Sequence, residues 1–149
     1  MKKIFYIITA SVILLACNQQ ATISEHEAHA NSGHIAGEPL ALNNGNKWKA
    51  DSSTNRHVMS LKTMSDDFKQ KPTPSVADYH LLAADLIVGL NGLIQDCKMS
   101  GEDHDALHKW LEPVLKETNQ MKSDLDTDAA DVTYKSISKR LDAYYNYFE

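Results

Sequence analysis

Between Tyr79 and Cys97 the apolar residues Tyr79, Leu82, Leu86, Leu90, Leu93 and Cys97 recur at steps of 3, 4, 4, 3 and 4. An α-helix, at about 3.6 residues per turn, gathers such positions on one stripe, whereas a strand scatters them over both faces. A stripe this regular has to be buried against elements of the same kind, and the flanking sequence supplies them. Val58, Leu61, Met64 and Phe68 come after the capping cluster Asp51-Ser52-Ser53-Thr54 at helical spacing, with Pro72 and Pro74 ending that helix near Lys71. Ser75 is placed to cap the striped helix. Ser100, with Glu102 and Asp103 behind it, is placed to cap a third, which carries His104, Leu107, His108, Leu111, Leu115, Met121 and Leu125 and meets a kink or break at Pro113. A fourth begins after Asp126-Thr127-Asp128 with Ala130, Tyr134, Ile137, Leu141, Tyr144 and Phe148. Short links and the lack of any strand alternation predict an all-α domain over residues 47–149, an antiparallel four-helix bundle. Gly89 and Gly92 each cost about 1 kcal/mol of helix propensity relative to Ala, which points to close packing or bending at those positions. No internal repeat, Gly-rich phosphate loop or EF-hand loop accompanies the helices.

Ahead of the bundle the chain has a different character. Residues 18–46 are rich in Asn, Gln, Ser, Gly, Glu and His and hold too little periodic apolar surface to repay ordering, so a disordered tether is expected over 17–46. Within it, Glu25, His26, Glu27, His29 and His34 form a tract that either collects borderline divalent metals loosely or is a solvated linker. Residues 1–16, MKKIFYIITASVILLA, have two lysines and then an apolar run, the pattern of a secretory signal.

That run closes on Leu14-Leu15-Ala16-Cys17, which resembles the lipobox of bacterial lipoproteins. The resemblance covers about the first 17 residues and implies cleavage before Cys17, acylation of that cysteine with chains such as palmitate, and an envelope location. Each buried methylene contributes about 0.8 kcal/mol, so a multiply acylated cysteine is a nearly permanent membrane anchor. Asn18, where the family's inner-membrane sorting signal has Asp, implies the outer membrane over the inner one, within the envelope that also holds the periplasm.

The net charge is −5, and loss of Lys2 and Lys3 with the leader leaves −7, which argues against a nucleic-acid partner because phosphate binding needs a concentrated positive face. Beyond the leader no apolar run approaches the roughly 20 residues of a membrane span, so membrane attachment is expected from the N-terminus alone.

The richest chemistry lies between Cys97 and His108. His104 and His108, four apart, share a helix face, and the hairpin brings Cys97 at the end of the preceding helix opposite that first turn. Two imidazoles and a thiolate make three corners of a metal site, with Met99 as a fourth ligand. Thiolate with thioether favours Cu(I); imidazoles with thiolate also suit Zn(II), so copper is preferred and zinc remains open. His57, at the matching end of the first helix, is either an accessory ligand or a surface histidine beside Arg56. The alternative for Cys97 is a small apolar core residue with the two histidines solvated. His80 lies more than four turns from Cys97 and cannot join it.

These features support three functions of different class. The first is a non-enzymatic envelope lipoprotein that binds copper or zinc for sequestration or delivery; a His-containing tether before a helical domain with Cys, Met and His resembles small envelope proteins of heavy-metal resistance in style. The second is a tethered interaction module that meets another envelope protein through Tyr144-Tyr145-Asn146-Tyr147-Phe148. The third, a thiol enzyme built on Cys97 with His104 or His108, has no recognisable orienting residue or oxyanion loop, so no enzyme is expected.

Overall fold

The computed structural model describes residues 39–149; the leader, Cys17 and the tether histidines His26, His29 and His34 lie outside the described residues. Four helices succeed one another: α1 (Ser52–Lys69), α2 (Val76–Asp96), α3 (Gly101–Met121) and α4 (Thr127–Tyr147). Links of a few residues return each helix alongside its predecessor. α1 packs on α2 and α4, α3 packs on α2 and α4, and α2 and α4 also meet across the bundle, while α1 and α3 do not. The expected all-α four-helix bundle is the fold.

The caps explain where the helices begin. Asp51 Oδ1 accepts from Thr54 N at 2.7 Å at the head of α1. At the head of α2, Ser75 and Asp78 bond reciprocally, the Asp78 N–H donating to the Ser75 hydroxyl and the Ser75 N–H to the Asp78 carboxylate. Asp126 Oδ1 accepts from Ala129 N at 2.8 Å to start α4. Ser100 departs from expectation: it precedes α3 but its side chain makes no capping bond. Leu125 departs too, because α3 ends at Met121 and the turn into the Asp126 cap leaves Leu125 93% exposed. α3 runs without interruption through Pro113.

The core takes the predicted stripes. Leu61, Leu86, Leu90, Leu93, Ile137 and Leu141 are fully enclosed or nearly so. Gly89 and Gly92 let α1 approach α2: a Cβ on Gly89 would stand 2.7 Å from Leu61 Cδ2, and one on Gly92 would stand 3.0 Å from His57 Cε1. α2 has the length and apolarity of a membrane span, with mean hydropathy 1.2, contrary to the expectation that no such run exists beyond the leader. Its composition has two sources: Leu82, Leu86, Leu90 and Leu93 lie in the core, and Leu81, Val88 and Ile94 add exposed apolar surface.

The segment before α1 is part of the domain. Asn44 and Gly45 both have positive φ, 51° and 88°, in a tight turn closed by reciprocal Asn43 and Asn46 backbone bonds of 2.9 Å. The chain then runs beside the C-terminus, Trp48 N donating to Tyr147 O at 2.8 Å and Glu149 N to Trp48 O at 3.0 Å. Phe148 is fully buried and stacks on Tyr144 with centroids 4.7 Å apart. Most of the aromatic terminus therefore serves the core; Tyr145 is the one of the four that is well exposed, at 39%.

Candidate metal centre

The end of the bundle that holds the start of α3 is fastened by two aspartates. Asp51, while capping α1 with one carboxylate oxygen, accepts from Lys98 N with the other at 2.7 Å. Burial works to raise its pKa, but the bonds from the Thr54 and Lys98 N–H groups and the Ser53 hydroxyl outweigh it and hold the carboxyl far below the usual range. Asp103 Oδ1 accepts from Lys49 N at 2.9 Å, tying the first turn of α3 to the segment before α1. The link 97–100 is thus held from one side by Asp51, and the helix it enters is held from the other.

This fastening sets the backbone carbonyl of Met99 before the ring of His104. His104 Nδ1 lies 2.9 Å from Met99 O. A carbonyl only accepts, so Nδ1 carries the proton and donates. In neutral His104 the other nitrogen, Nε2, is then a bare acceptor. It faces His108 Nε2 at 2.8 Å, so the proton in that contact belongs to His108. The two rings lie nearly parallel, 4.7 Å between centroids and 19° between planes. On the far side of His108, Nδ1 stands 3.8 Å from Glu112 Oε1, one further turn along α3. Met99, His104 and His108 thus form a hydrogen-bonded chain along the start of α3, with the Glu112 carboxylate beyond hydrogen-bond range at its end.

The arrangement has the elements of a two-imidazole cation site. Histidines that bind metal through one nitrogen commonly donate the other N–H to a carbonyl or carboxylate, which fixes ring orientation and tautomer. Met99 O does this for His104, and Glu112 is placed to do it for His108. A tetrahedral ion with bonds of about 2.0–2.1 Å to nitrogen needs the two nitrogens about 3.3 Å apart. At 2.8 Å the two nitrogens are closer than this, so the partly exposed rings would have to part and turn to admit an ion.

The remaining predicted ligands are placed differently. Cys97 is a free, half-buried thiol that ends α2, its N–H donating to Leu93 O at 3.0 Å and its side chain packing against the apolar core together with Met99. It is near the Tyr144 phenol: burial foremost, then the charges of Tyr145, Asp51 and Cys97, push the Tyr144 pKa far up. His57 Nε2 pairs with Asp96 Oδ2 at 2.9 Å, and His80 Nε2 lies 2.8 Å from Asp124 O at the other end of the bundle. Among the described residues no three His, Cys, Asp or Glu side chains are gathered as a metal ion would need. The structure brings His104 and His108 together, joins Met99 to them through its carbonyl, and leaves Cys97 in the core edge.

Sequence reading missed Glu112 and Asp96. Glu112 comes after His108 at the same i, i+4 step that pairs the histidines, so its placement was readable. Asp96 adjoins Cys97 but reaches His57 across 39 residues of chain, a pairing that only the antiparallel packing of α1 and α2 creates.

Comparison of the chain with protein-family models, curated proteins and solved structures finds no match to any of them.

Proposed function

We propose that this chain is a lipid-anchored envelope protein, not an enzyme, whose bundle binds one copper or zinc ion between His104 and His108 for sequestration or delivery. The anchor rests on Leu14-Leu15-Ala16-Cys17. The metal reading rests on one observation, the 2.8 Å approach of two Nε2 atoms, with the His104 ring oriented from behind by Met99 O and Glu112 3.8 Å from His108 Nδ1. Imidazole serves both copper and zinc, so these two ligands leave the choice between them to availability and to whatever fills the remaining positions. A site with two protein ligands keeps coordination positions open, which suits handing the ion to another carrier. Isothermal titration of the full chain with Cu(I) and Zn(II), beside the H104A/H108A variant, tests this. Loss of one high-affinity equivalent in the variant is expected; equal stoichiometry and affinity in both would overturn it.

A tethered interaction module is the second reading. The observation favouring it is the outer face of α2, where Leu81 and Val88 are 66% and 72% exposed. A photo-crosslinker at Val88 that captures one envelope protein reproducibly would support it, and capture of none would count against it.

A further inference from the structure

Toward the end of the bundle away from His104 and His108, a groove opens between the C-terminal end of α1 and the middle of α4. Its volume is about 480 Å³, within the range of small-molecule sites. The floor is aromatic. The Phe68 ring centroid is 5.0 Å from that of Tyr79 and 5.1 Å from that of Tyr134, each ring tilted against its neighbour. Both phenols are already engaged, Tyr79 donating to Asp131 Oδ1 at 3.1 Å and Tyr134 to Ser65 O at 2.8 Å. Burial, with the Asp131 carboxylate beside it, pushes the Tyr79 pKa up to about 12, so this part of the floor stays neutral. Phe68, half-buried, offers a ring with no polar group to satisfy.

The rim is cationic in a chain whose net charge is −5. Lys69, Lys71, Lys135 and Lys139 line the groove against two aspartates, Asp131 and Asp142. The aspartates are paired from within: Lys135 lies 2.6 Å from Asp131, and Lys62 is shared between Asp142 and Asp66. Lys71 is held 2.7 Å from Asp78. Lys69 and Lys139 have no ion-pair partner among the described residues. An aromatic floor excludes water on one side, and two unpaired lysines at its edge, which leave a net excess of one positive charge once Asp66 and Asp142 share Lys62, attract a monoanion on the other.

We propose that this groove binds a small aromatic monoanion, a carboxylate or sulfonate, with its ring against Phe68 and its charge between Lys69 and Lys139. The ring supplies the apolar contact that a bare inorganic anion lacks. The charge separates such a ligand from a neutral aromatic, which has nothing to gain from the lysines. The groove and the histidine pair lie toward opposite ends of the bundle, so this proposal does not depend on metal binding.

The test is fluorescence titration of the full chain with anilinonaphthalenesulfonate, an aromatic monoanion, and with phenylnaphthylamine, its uncharged counterpart. The expected result is one saturable class for the sulfonate, displaced by naphthoate, weakened about tenfold in K69Q/K139Q and retained in K69R/K139R, where charge is kept. Binding of the uncharged probe should change little between these chains. Circular dichroism should show all three folded, since both lysines are exposed. Equal sulfonate affinity in K69Q/K139Q and the parent chain, or no saturable class displaced by naphthoate, would overturn the proposal.

Discussion

His104 Nε2 and His108 Nε2 stand 2.8 Å apart on adjacent turns of α3, with the His104 ring fixed from behind by the Met99 carbonyl. In the metal-free state one proton fills the gap, and it sits on His108. An ion bound in the gap, as proposed, would displace that proton and leave neutral His108 protonated on Nδ1. That nitrogen faces Glu112 Oε1, 3.8 Å away.

Glu112 is therefore expected to act on metal affinity without being a ligand. Glu112→Gln removes the charge that would face the proton on His108 Nδ1 while keeping size and helix propensity. Orienting partners of ligating histidines are typically worth about 10- to 100-fold in affinity. Competition titration against a chelator should give a loss in that range for E112Q with unchanged stoichiometry; affinity equal to the parent's would separate Glu112 from the site.

The close approach of α1 and α2 predicts intolerance at Gly89. Its hydrogen faces Leu61, which is fully buried, and a Cβ there would already lie 2.7 Å from Leu61 Cδ2. Gly89→Leu places a whole side chain in that space, and the overpacking should cost about 3 kcal/mol, more than the roughly 1 kcal/mol that leucine returns in helix propensity. Urea denaturation measures the difference.

Acid should loosen the histidine end through Asp51. Its folded pKa is depressed, because the bonds from the Thr54 and Lys98 N–H groups overcome burial. A depressed carboxyl contributes stability that is complete above its unfolded pKa of about 3.9 and lost as pH falls toward the folded value. Asp78 behaves likewise, held at about 2 by Lys71 first and then by the Ser75 N–H. Stability should thus be level above about pH 4 and fall below it. Asp51→Asn keeps an oxygen for Thr54 but has only a donor for Lys98 N, so it should cost about 1 kcal/mol near neutrality and flatten the acid slope. Denaturant melts at stepped pH check both.

The bundle was legible because its signal is periodic. Leu82 to Leu93 carry the helical step without a break, and that step assigns face and class, while the short links between helices assign the antiparallel order. Leu125 misled because it continues the step from Met121; α3 ends there through competition from Asp126, whose side chain must leave the helix to cap α4. The histidine pair was legible for the same periodic reason. Met99 was not, since the sequence suggests its sulfur as the ligand, while the structure engages its carbonyl. The conformation that aims this carbonyl depends on Asp51 holding Lys98 N across 47 residues of chain. Cys97 shows the other limit: its stripe position is shared by a core residue and a ligand, and its half-buried packing is that of the stripe.

The paired Nε2 atoms are tested most directly by long-range nitrogen–proton NMR spectra of the imidazole rings in the full chain, recorded before and after one equivalent of Zn(II). Metal-free His104 should carry its proton on Nδ1 and metal-free His108 on Nε2, and the added ion should shift the Nε2 resonances of both together, with His104 Nδ1 keeping its proton and His108 Nδ1 gaining one. Unchanged His104 and His108 resonances, with His26, His29 and His34 shifting instead, would contradict a metal site between the paired histidines.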